Sequence, residues 1–288
     1  MKKTPLIRKS SGELEPYSSE KLGRSLKRSG ANKEAVSAIL NEIEKWIMNE
    51  TEVPSRKIYK LAFSLLKKRR VGPAARYKLK KAMMEMGPTG HPFESFVGEI
   101  FRLRGYNVEV AQVLRGHCVT HEVDVIATKG NHQIFMECKF YQTTGKNANV
   151  QVPLYIKSRV DDIIRFRKDD PRFKGYTFSG GVVTNTRFTE DAENYGTCSG
   201  LMLLGWDFPP KESLRELIDQ ERVFPITTLT SLSYSEKQQL MDKGIVICRQ
   251  VSYEPSILET IGVTGQKKAK VLEEVRELAE NGDLSSFD

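Results

Sequence analysis

Two acidic residues and a lysine near the middle of the chain have the types and spacing of a metal-dependent hydrolytic site. They are Asp124, Glu137 and Lys139, and between them lies Gly130-Asn131, a pair typical of a two-residue hairpin turn. Strands joined by this turn would place Asp124 directly opposite Glu137. Because side chains alternate along a strand, Lys139 would share a face with Glu137.

Opposed carboxylates repel each other, so this arrangement needs a compensating positive charge. A hard divalent cation such as Mg²⁺ fits, because it prefers oxygen ligands and often takes only one or two carboxylates from the protein. Lys139 would then bond a water molecule or counter the charge of a phosphate. These are the requirements of metal-assisted phosphodiester hydrolysis. The alternative is an edge hairpin whose outer face carries ordinary solvated charges.

The segment that must position these residues reads as a mixed α/β domain over residues 91–207. Apolar residues recur at helical spacing in some of its segments and at strand spacing in others, so helices and strands are both predicted. They are a helix at 93–101 stopped by Gly105, strands at 106–110, 119–128 and 133–141, a helix at 153–167, a strand at 176–185, a helix at 189–195 and a strand at 201–205. In the third strand, Ile134, Met136, Cys138 and Phe140 are expected on the core-facing side, opposite the side of Glu137 and Lys139.

Pro/Gly-rich joints at 87–90 and 206–210 separate this domain from two flanking regions. Residues 1–88 open with a short strand, a Ser-Ser-Gly turn and a second strand over 6–17, and continue as helices, the last predicted over 74–86 with Pro73 in its first turn. Residues 208–288 read as helical. The predicted fold class is therefore α/β multidomain, with a central mixed sheet between a mostly helical N-terminal domain and a helical C-terminal domain.

The net charge of +8 is unevenly distributed along the chain. Residues 1–88 hold 21 Lys and Arg against 9 Asp and Glu, whereas the other 200 residues hold 24 against 28. Such a surplus favours a polyanionic partner, either nucleic acid or nucleotide phosphates, although a solvated basic surface explains it equally well. Four scattered cysteines, no secretory signal and no bilayer-length apolar run lead us to expect a cytoplasmic protein with no membrane partner.

The central region resembles the Mrr-type branch of the PD-(D/E)XK nucleases. The resemblance rests on Phe93-Glu94 to Gly105-Tyr106, on His121-Glu-Val-Asp124 and on Glu137-Cys-Lys139, which occur in the family's order. It implies that Asp124 and Glu137 bind Mg²⁺ or Mn²⁺ with the Cys138 carbonyl as a third ligand. It also implies that Lys139 helps to activate water and that Glu94 lies near the site. Many Mrr-type members carry Gln where this chain has Glu137.

Residues 4–86 resemble the ATP-cone, a small nucleotide-sensing module. The motif is Ile7-Arg8-Lys9-Ser-Ser-Gly12, followed by Glu15-Pro-Tyr17 and Lys21-Leu22. The resemblance implies that Arg8, Lys9 and Lys21 bind ATP or dATP as a regulatory ligand. One departure is Ser10-Ser11, where the family often has Arg-Asp. The alternative is a basic DNA-binding helical domain without nucleotide.

Near the C-terminus, Ile261-Gly262-Val263-Thr-Gly265 fits the helix-hairpin-helix pattern. The glycines allow a tight hairpin whose backbone N–H groups would face a DNA phosphate, with Lys267 and Lys268 reinforcing the contact. The alternative is a glycine-terminated helix pair used only for packing.

Taken together, these patterns predict a type II or type IV restriction-like deoxyribonuclease that hydrolyses DNA with Mg²⁺. We expect a nucleotide effector at the N-terminal domain to gate cleavage through a homo-oligomer. Two alternatives are a non-catalytic, nucleotide-responsive DNA-binding regulator and a DNA repair or junction nuclease.

Overall fold

The computed structural model describes residues 5–9, 12–48, 50–143 and 145–279, which form two compact units. The first unit comprises the described residues of 1–80, 228–233 and 255–288. The second comprises those of 81–227 and 234–254. Each unit contains segments from distant parts of the chain.

The first unit begins with the predicted pair of short strands, and Ser10 and Ser11 of the predicted turn lie outside the described residues. Strand β1 pairs antiparallel with β2 and parallel with β3, which gives the sheet order β2-β1-β3. The elements in chain order are β1 (Leu6–Arg8), β2 (Leu14–Pro16), α1 (Ser19–Arg28), α2 (Lys33–Ile47), β3 (Glu52–Pro54), α3 (Ser55–Arg69) and α4 (Val71–Tyr77). Helix α5 (Leu79–Met84) follows, and its residues from 81 onward belong to the second unit.

Helices α1 and α2 form because apolar residues recur at helical spacing and a polar side chain caps each start. The side chain of Asn32 accepts the Ala35 N–H at 2.9 Å and caps α2. The buried residues of α2 pack into one core with residues of α1, α3 and β1. They are Val36, Ile39, Ile43 and Ile47. The single helix predicted over 74–86 is wrong, because α4 begins before Pro73 and ends at Tyr77, and α5 starts after Lys78.

The second unit is built on a five-stranded sheet of order β10-β8-β6-β5-β4. Strand β5 pairs antiparallel with both β4 and β6, whereas β8 pairs parallel with both β6 and β10. The predicted mixed sheet is therefore confirmed. The elements are α6 (His91–Leu103), β4 (Asn107–Arg115), β5 (Thr120–Lys129), β6 (His132–Lys139), β7 (Asn147–Ala148), α7 (Gln151–Lys168), β8 (Thr177–Thr184), β9 (Arg187–Phe188), α8 (Glu190–Cys198) and β10 (Met202–Leu204).

Strand β6 occupies the centre of this sheet, and every residue from Gln133 to Cys138 is buried. Phe135 packs with Ile156 and Val160 of α7, in a core that also includes Val182 of β8. Side chains that point to the opposite face of the sheet contact helix α6, as the Phe93–Phe140 ring contact at 5.7 Å shows. The expected core-facing side is confirmed for Ile134, Met136 and Cys138, which are buried, and α7 covers the opposite face of β6 as well. The alternative of a solvated edge hairpin is also excluded for this strand.

Residues after 207 are divided between the two units. Helices α9 (Leu214–Glu221), α10 (Tyr234–Asp242) and α11 (Cys248–Tyr253) belong to the second unit, whereas α12 (Gly265–Ala279) belongs to the first. The reason is specific pairing: Glu277 accepts the Gly72 N–H at 2.7 Å, and buried Glu274 accepts the backbone N–H groups of Thr230 and Ser231. The predicted C-terminal region 208–288 is thus not one compact unit, and residues 280–288 lie outside the described residues. Among the described helices, none is both long and apolar enough to cross a membrane.

Candidate active site

The hairpin between β5 and β6 has the register that the turn pair predicted. Lys129 faces His132, and the ladder continues to Val125 opposite Met136. Asp124 and Glu137 are the next positions along the two strands, where the ladder ends. The two carboxylates therefore lie at the open end of a paired ribbon.

Asp124 lies at a break in the backbone pairing on both sides of β5. Strand β4 pairs with β5 before and after this position, but Ala111, which would face Asp124, has a φ of 54° and is not in the ladder. Freed from regular pairing, Asp124 accepts the Cys138 N–H through Oδ2 at 2.7 Å. This bond fixes the carboxylate against β6.

Glu137 is held by two cationic side chains, one on each carboxylate oxygen. Lys139 donates to Oε1, and Arg159 of α7 donates to Oε2 at 2.8 Å. Arg159 is also bonded to the Glu122 carbonyl and lies over the Tyr155 ring at 5.3 Å. Because the Glu137 side chain is only 11% exposed, these cations stabilise a charge that burial would otherwise disfavour.

Glu137 and Glu94 lie close enough to Asp124 to change the ionisation of its carboxyl group. Burial, with the neighbouring charges of Glu137 and Glu94, raises the pKa of Asp124 to about 7, against the lowering effect of the Cys138 N–H. Glu94 projects from the first turn of α6, is 12% exposed and bonds His91 at 3.1 Å. The expected position of Glu94 near the site is thus consistent with its effect on Asp124. This concentration of negative charge is what a bound divalent cation would relieve.

Lys139 and Cys138 differ in what they can contribute. Burial lowers the pKa of Lys139, but its bond to Glu137 outweighs that effect and leaves the pKa raised. Lys139 is therefore a cation and hydrogen-bond donor rather than a base. Burial and the nearby carboxylates raise the pKa of the Cys138 thiol well above its ordinary value, so the thiol stays neutral and only the backbone of this residue can serve the site.

A run of buried polar residues at the end of β8 holds the backbone just beyond Lys139. The Thr184 hydroxyl donates to the Lys139 carbonyl at 2.8 Å. Asn185 accepts the Tyr141 N–H at 2.9 Å and donates to the Tyr141 carbonyl at 2.8 Å. Both residues are fully buried, so the end of β6 is fixed by side chains of the adjacent strand.

Helix α7 anchors the other hairpin of the sheet through Asp162, one turn beyond Arg159. Its carboxylate accepts the Cys118 N–H at 2.9 Å and bonds His121 Nε2 at 2.8 Å. The bond to His121 is the main reason that the pKa of Asp162 lies well below its usual range. His121 is therefore a structural partner of α7.

The donor atoms at Asp124 and Glu137 are hard oxygens, which suits Mg²⁺ or Mn²⁺. Among the residues that the structure describes, no group of three or more His, Cys, Asp or Glu side chains is arranged as a metal cage. Two carboxylates and the Cys138 carbonyl would nevertheless match the sparse protein ligation that Mg²⁺ commonly has beside a phosphate. The residues present thus fit the group that the sequence predicted.

The three residues predicted to bind nucleotide each bond a carboxylate. Arg8 pairs with Glu52, Lys9 bonds Glu13 and Glu15 at 3.2 and 3.1 Å, and Lys21 bonds Glu15 at 3.0 Å. They gather near the β1–β2 hairpin, as expected, but their charges are compensated within the protein. A triphosphate there would have to displace these acidic partners.

The predicted helix-hairpin-helix glycines do form a turn. Gly262 and Gly265 have φ values of 77° and 54°, which only glycine adopts readily, and they connect a 3₁₀ segment at 255–261 to α12. Lys267 is exposed, and Lys268 bonds Glu259 at 2.7 Å across the turn. The first element is thus a 3₁₀ helix rather than an α-helix, and Lys268 has an intramolecular role.

Sequence reasoning missed the contribution of α7 and of the buried polar run. No sequence pattern assigned a role to Arg159, yet its side chain is only 16% exposed and bonds Glu137. A signal was present, since Arg159 lies beside Val160 and three residues after Ile156 on the buried stripe of α7. The polar run Thr184-Asn185-Thr186 gave no comparable signal, because it follows a strand where a solvent-exposed turn is the common case.

Comparisons with known proteins match two parts of the chain to protein families. The family model described as "Restriction endonuclease", of the Mrr type, matches residues 86–205. A second family model, described as "AF1548-like, C-terminal", matches residues 224–279. An uncharacterized protein of Archaeoglobus fulgidus is 30% identical over 175 residues, which are 60% of this chain and 94% of that protein.

Two solved structures are similar to parts of the chain. The crystal structure of AF1548, a protein of unknown function, matches with 27% identity and a TM-score of 0.54 over 66% of this chain and 98% of that one. The MspJI restriction endonuclease, solved with a 27-mer oligonucleotide, matches with 14% identity and a TM-score of 0.32 over 60% of this chain and 36% of that one, a likeness too low to bear on function. The chain therefore belongs to the AF1548-like family and contains a Mrr-type restriction-endonuclease domain at residues 86–205.

Proposed function

We propose that this protein is a Mg²⁺-dependent DNA endonuclease of the restriction type. The observation that carries the proposal is the charged cluster at the end of the β5–β6 ribbon. There, Asp124 and Glu137 are fixed by bonds to Cys138, Lys139 and Arg159, inside a domain of the restriction-endonuclease family.

Each residue has a role in this proposal. Asp124, Glu137 and the Cys138 carbonyl would hold the cation, and Glu94 would add negative charge nearby. When bound, the cation supplies Lewis-acid activation of water and countercharge for the scissile phosphate. Lys139, a cation in the folded protein, would donate a hydrogen bond to a phosphate oxygen where negative charge grows during hydrolysis. Arg159 would keep Glu137 oriented.

A plasmid-nicking assay tests this proposal. The wild-type protein should convert supercoiled DNA to open circles with millimolar Mg²⁺ and not with EDTA, and Asp124→Ala should abolish the conversion. Glu109→Gln, which removes an exposed carboxylate from the neighbouring strand β4, is the matched control and should retain activity. Equal nicking in all samples would assign the cleavage to another site or to a contaminant. DNA binding without any cleavage would favour the non-catalytic regulator.

Regulation by ATP or dATP at Arg8, Lys9 and Lys21 stays a prediction. A thermal-shift assay addresses it, because a ligand that binds only the folded state raises its apparent stability. Millimolar ATP or dATP should raise the melting temperature of the wild type and not that of Lys9→Ala/Lys21→Ala. No shift in the wild type would remove the nucleotide effector from the mechanism.

A further inference from the structure

Helix α3 has an unusual charge pattern for a surface helix. Its sequence from Ser55 to Arg69 contains six Lys and Arg residues and no Asp or Glu. Another arginine, Arg70, follows directly. Its buried side packs into the core of the first unit through Ile58, Ala62, Leu65 and Leu66. All its positive charge therefore lies on the outer face.

These cations are exposed, and most of them have no partner among the residues that the structure describes. Within the described part of the chain, Arg69 bonds Glu42 at 3.2 Å. The other six make no ion pair or side-chain hydrogen bond to a described residue. They are Arg56, Lys57, Lys60, Lys67, Lys68 and Arg70, and all are exposed. This differs from the β1–β2 hairpin, where Arg8, Lys9 and Lys21 are each compensated by a carboxylate.

Helix stability does not account for this pattern. Cations in the last turn interact favourably with the helix dipole, which explains Lys67 and Lys68. Arg56 and Lys57 lie in the first turn, where positive charge is unfavourable and acidic residues are usual. Lys57 and Lys60 are also spaced so that their like charges repel. The arrangement costs folding stability, so a ligand that benefits from it is a better explanation than structure alone.

We propose that the outer face of α3 binds the phosphate backbone of DNA. A helix of this length extends about 22 Å, more than half of one turn of B-DNA, so its cations can reach several phosphates. The contact carries no sequence information and would serve to hold the substrate. The proposal rests on the proposed function insofar as that function makes DNA the substrate.

Fluorescence anisotropy with a labelled duplex in EDTA tests the surface without any cleavage. The variant Lys60→Ala/Lys67→Ala/Lys68→Ala removes three charges from α3, and Lys168→Ala/Lys174→Ala/Lys243→Ala removes three exposed lysines from the second unit as the matched control. At about 0.1 M salt, the α3 variant should bind at least about tenfold more weakly, and the slope of log K against log salt should fall by about 2 to 3. Replacement of the same three lysines by arginine should retain binding.

Two results would overturn the proposal. One is unchanged affinity of the α3 variant, provided its melting temperature matches that of the wild type. The other is an equal loss in the α3 variant and the control, which would show a response to net charge rather than to this surface. The nuclease proposal is read out separately by Mg²⁺-dependent nicking. Salt-sensitive binding through α3 without cleavage would therefore retain this surface and reject the nuclease.

Discussion

Replacing Asp124 with Asn should stabilise the metal-free protein, although the same change should abolish cleavage. The folded-state pKa of Asp124 is about 7, chiefly because of burial and then because of Glu137 and Glu94. An unfolded chain holds this carboxyl near its ordinary pKa of about 4. Between these values the folded state binds more protons than the unfolded state, so wild-type stability falls as the pH rises from about 4 to about 7.

The magnitude follows from this difference. Ionising Asp124 in the folded protein at about pH 8 costs on the order of 2 to 4 kcal/mol. The upper value, about 4 kcal/mol, corresponds to the full pKa difference between the folded and unfolded states. The lower value, about 2 kcal/mol, allows for relaxation of the protein and entry of water around the charge. Asn keeps an oxygen for the Cys138 N–H and carries no charge. The variant should therefore melt roughly 5–10 °C higher than the wild type at about pH 8, with the difference vanishing towards about pH 4.

Thermal unfolding in EDTA across this pH range measures the effect. Asp161→Asn, which neutralises a carboxylate 54% exposed on the surface of α7, is the control and should show no such pH-dependent gain. Millimolar Mg²⁺ should then stabilise the wild type and not Asp124→Asn, because the substitution removes the negative charge that is expected to bind the cation. A variant that follows the wild type at every pH, or that is less stable at about pH 8, would refute the charge-repulsion argument.

Three further substitutions test the elements around the site. Arg159→Ala should destabilise the protein by about 2 to 3 kcal/mol in urea unfolding, because Glu137 then keeps only Lys139 as a cationic partner. Arg159→Lys should lose less stability, since it retains the positive charge. Equal losses in the two variants would mean that the charge of Arg159 is unimportant. Asn185→Ala should cost about 2 to 4 kcal/mol because the N–H and carbonyl of Tyr141 both lose a buried partner, and a loss below about 1 kcal/mol would contradict this. Gly196→Ala should cost about 1 to 3 kcal/mol, since a Cβ there would lie 2.5 Å from Leu203 Cδ1, and a neutral effect would show that β10 can shift.

Much of the central domain could be predicted from the sequence because its signals are local. Gly130-Asn131 set the hairpin register, and that register alone placed Asp124 and Glu137 at corresponding positions. Periodicity located α6, α7 and the main strands to within a few residues. The resemblance to the Mrr type then added Glu94, which no spacing argument connects to the pair.

The remaining features depend on contacts between distant segments. Whether β6 lies in the centre or at the edge of the sheet depends on its pairing with β8, which is about 40 residues away in the chain. No local sequence pattern indicates that pairing. The same is true of Arg159, whose partner Glu137 is 22 positions away. The break at Ala111 is even less predictable, since alanine has no preference for a positive φ and the surrounding sequence alternates like an ordinary strand.

The discontinuity of the first unit has a consequence for biosynthesis. The N-terminal helices leave the ribosome early, but the start of α4 stays incomplete until α12 arrives, because Glu277 satisfies Gly72 and the carbonyls of Glu277 and Leu278 accept from Arg76. The second unit can finish folding first, as all its segments precede residue 255. Nascent chains would thus carry a folded second unit while the first unit is still incomplete. A chain truncated before α12 would have N-terminal helices that proteases can cleave more readily.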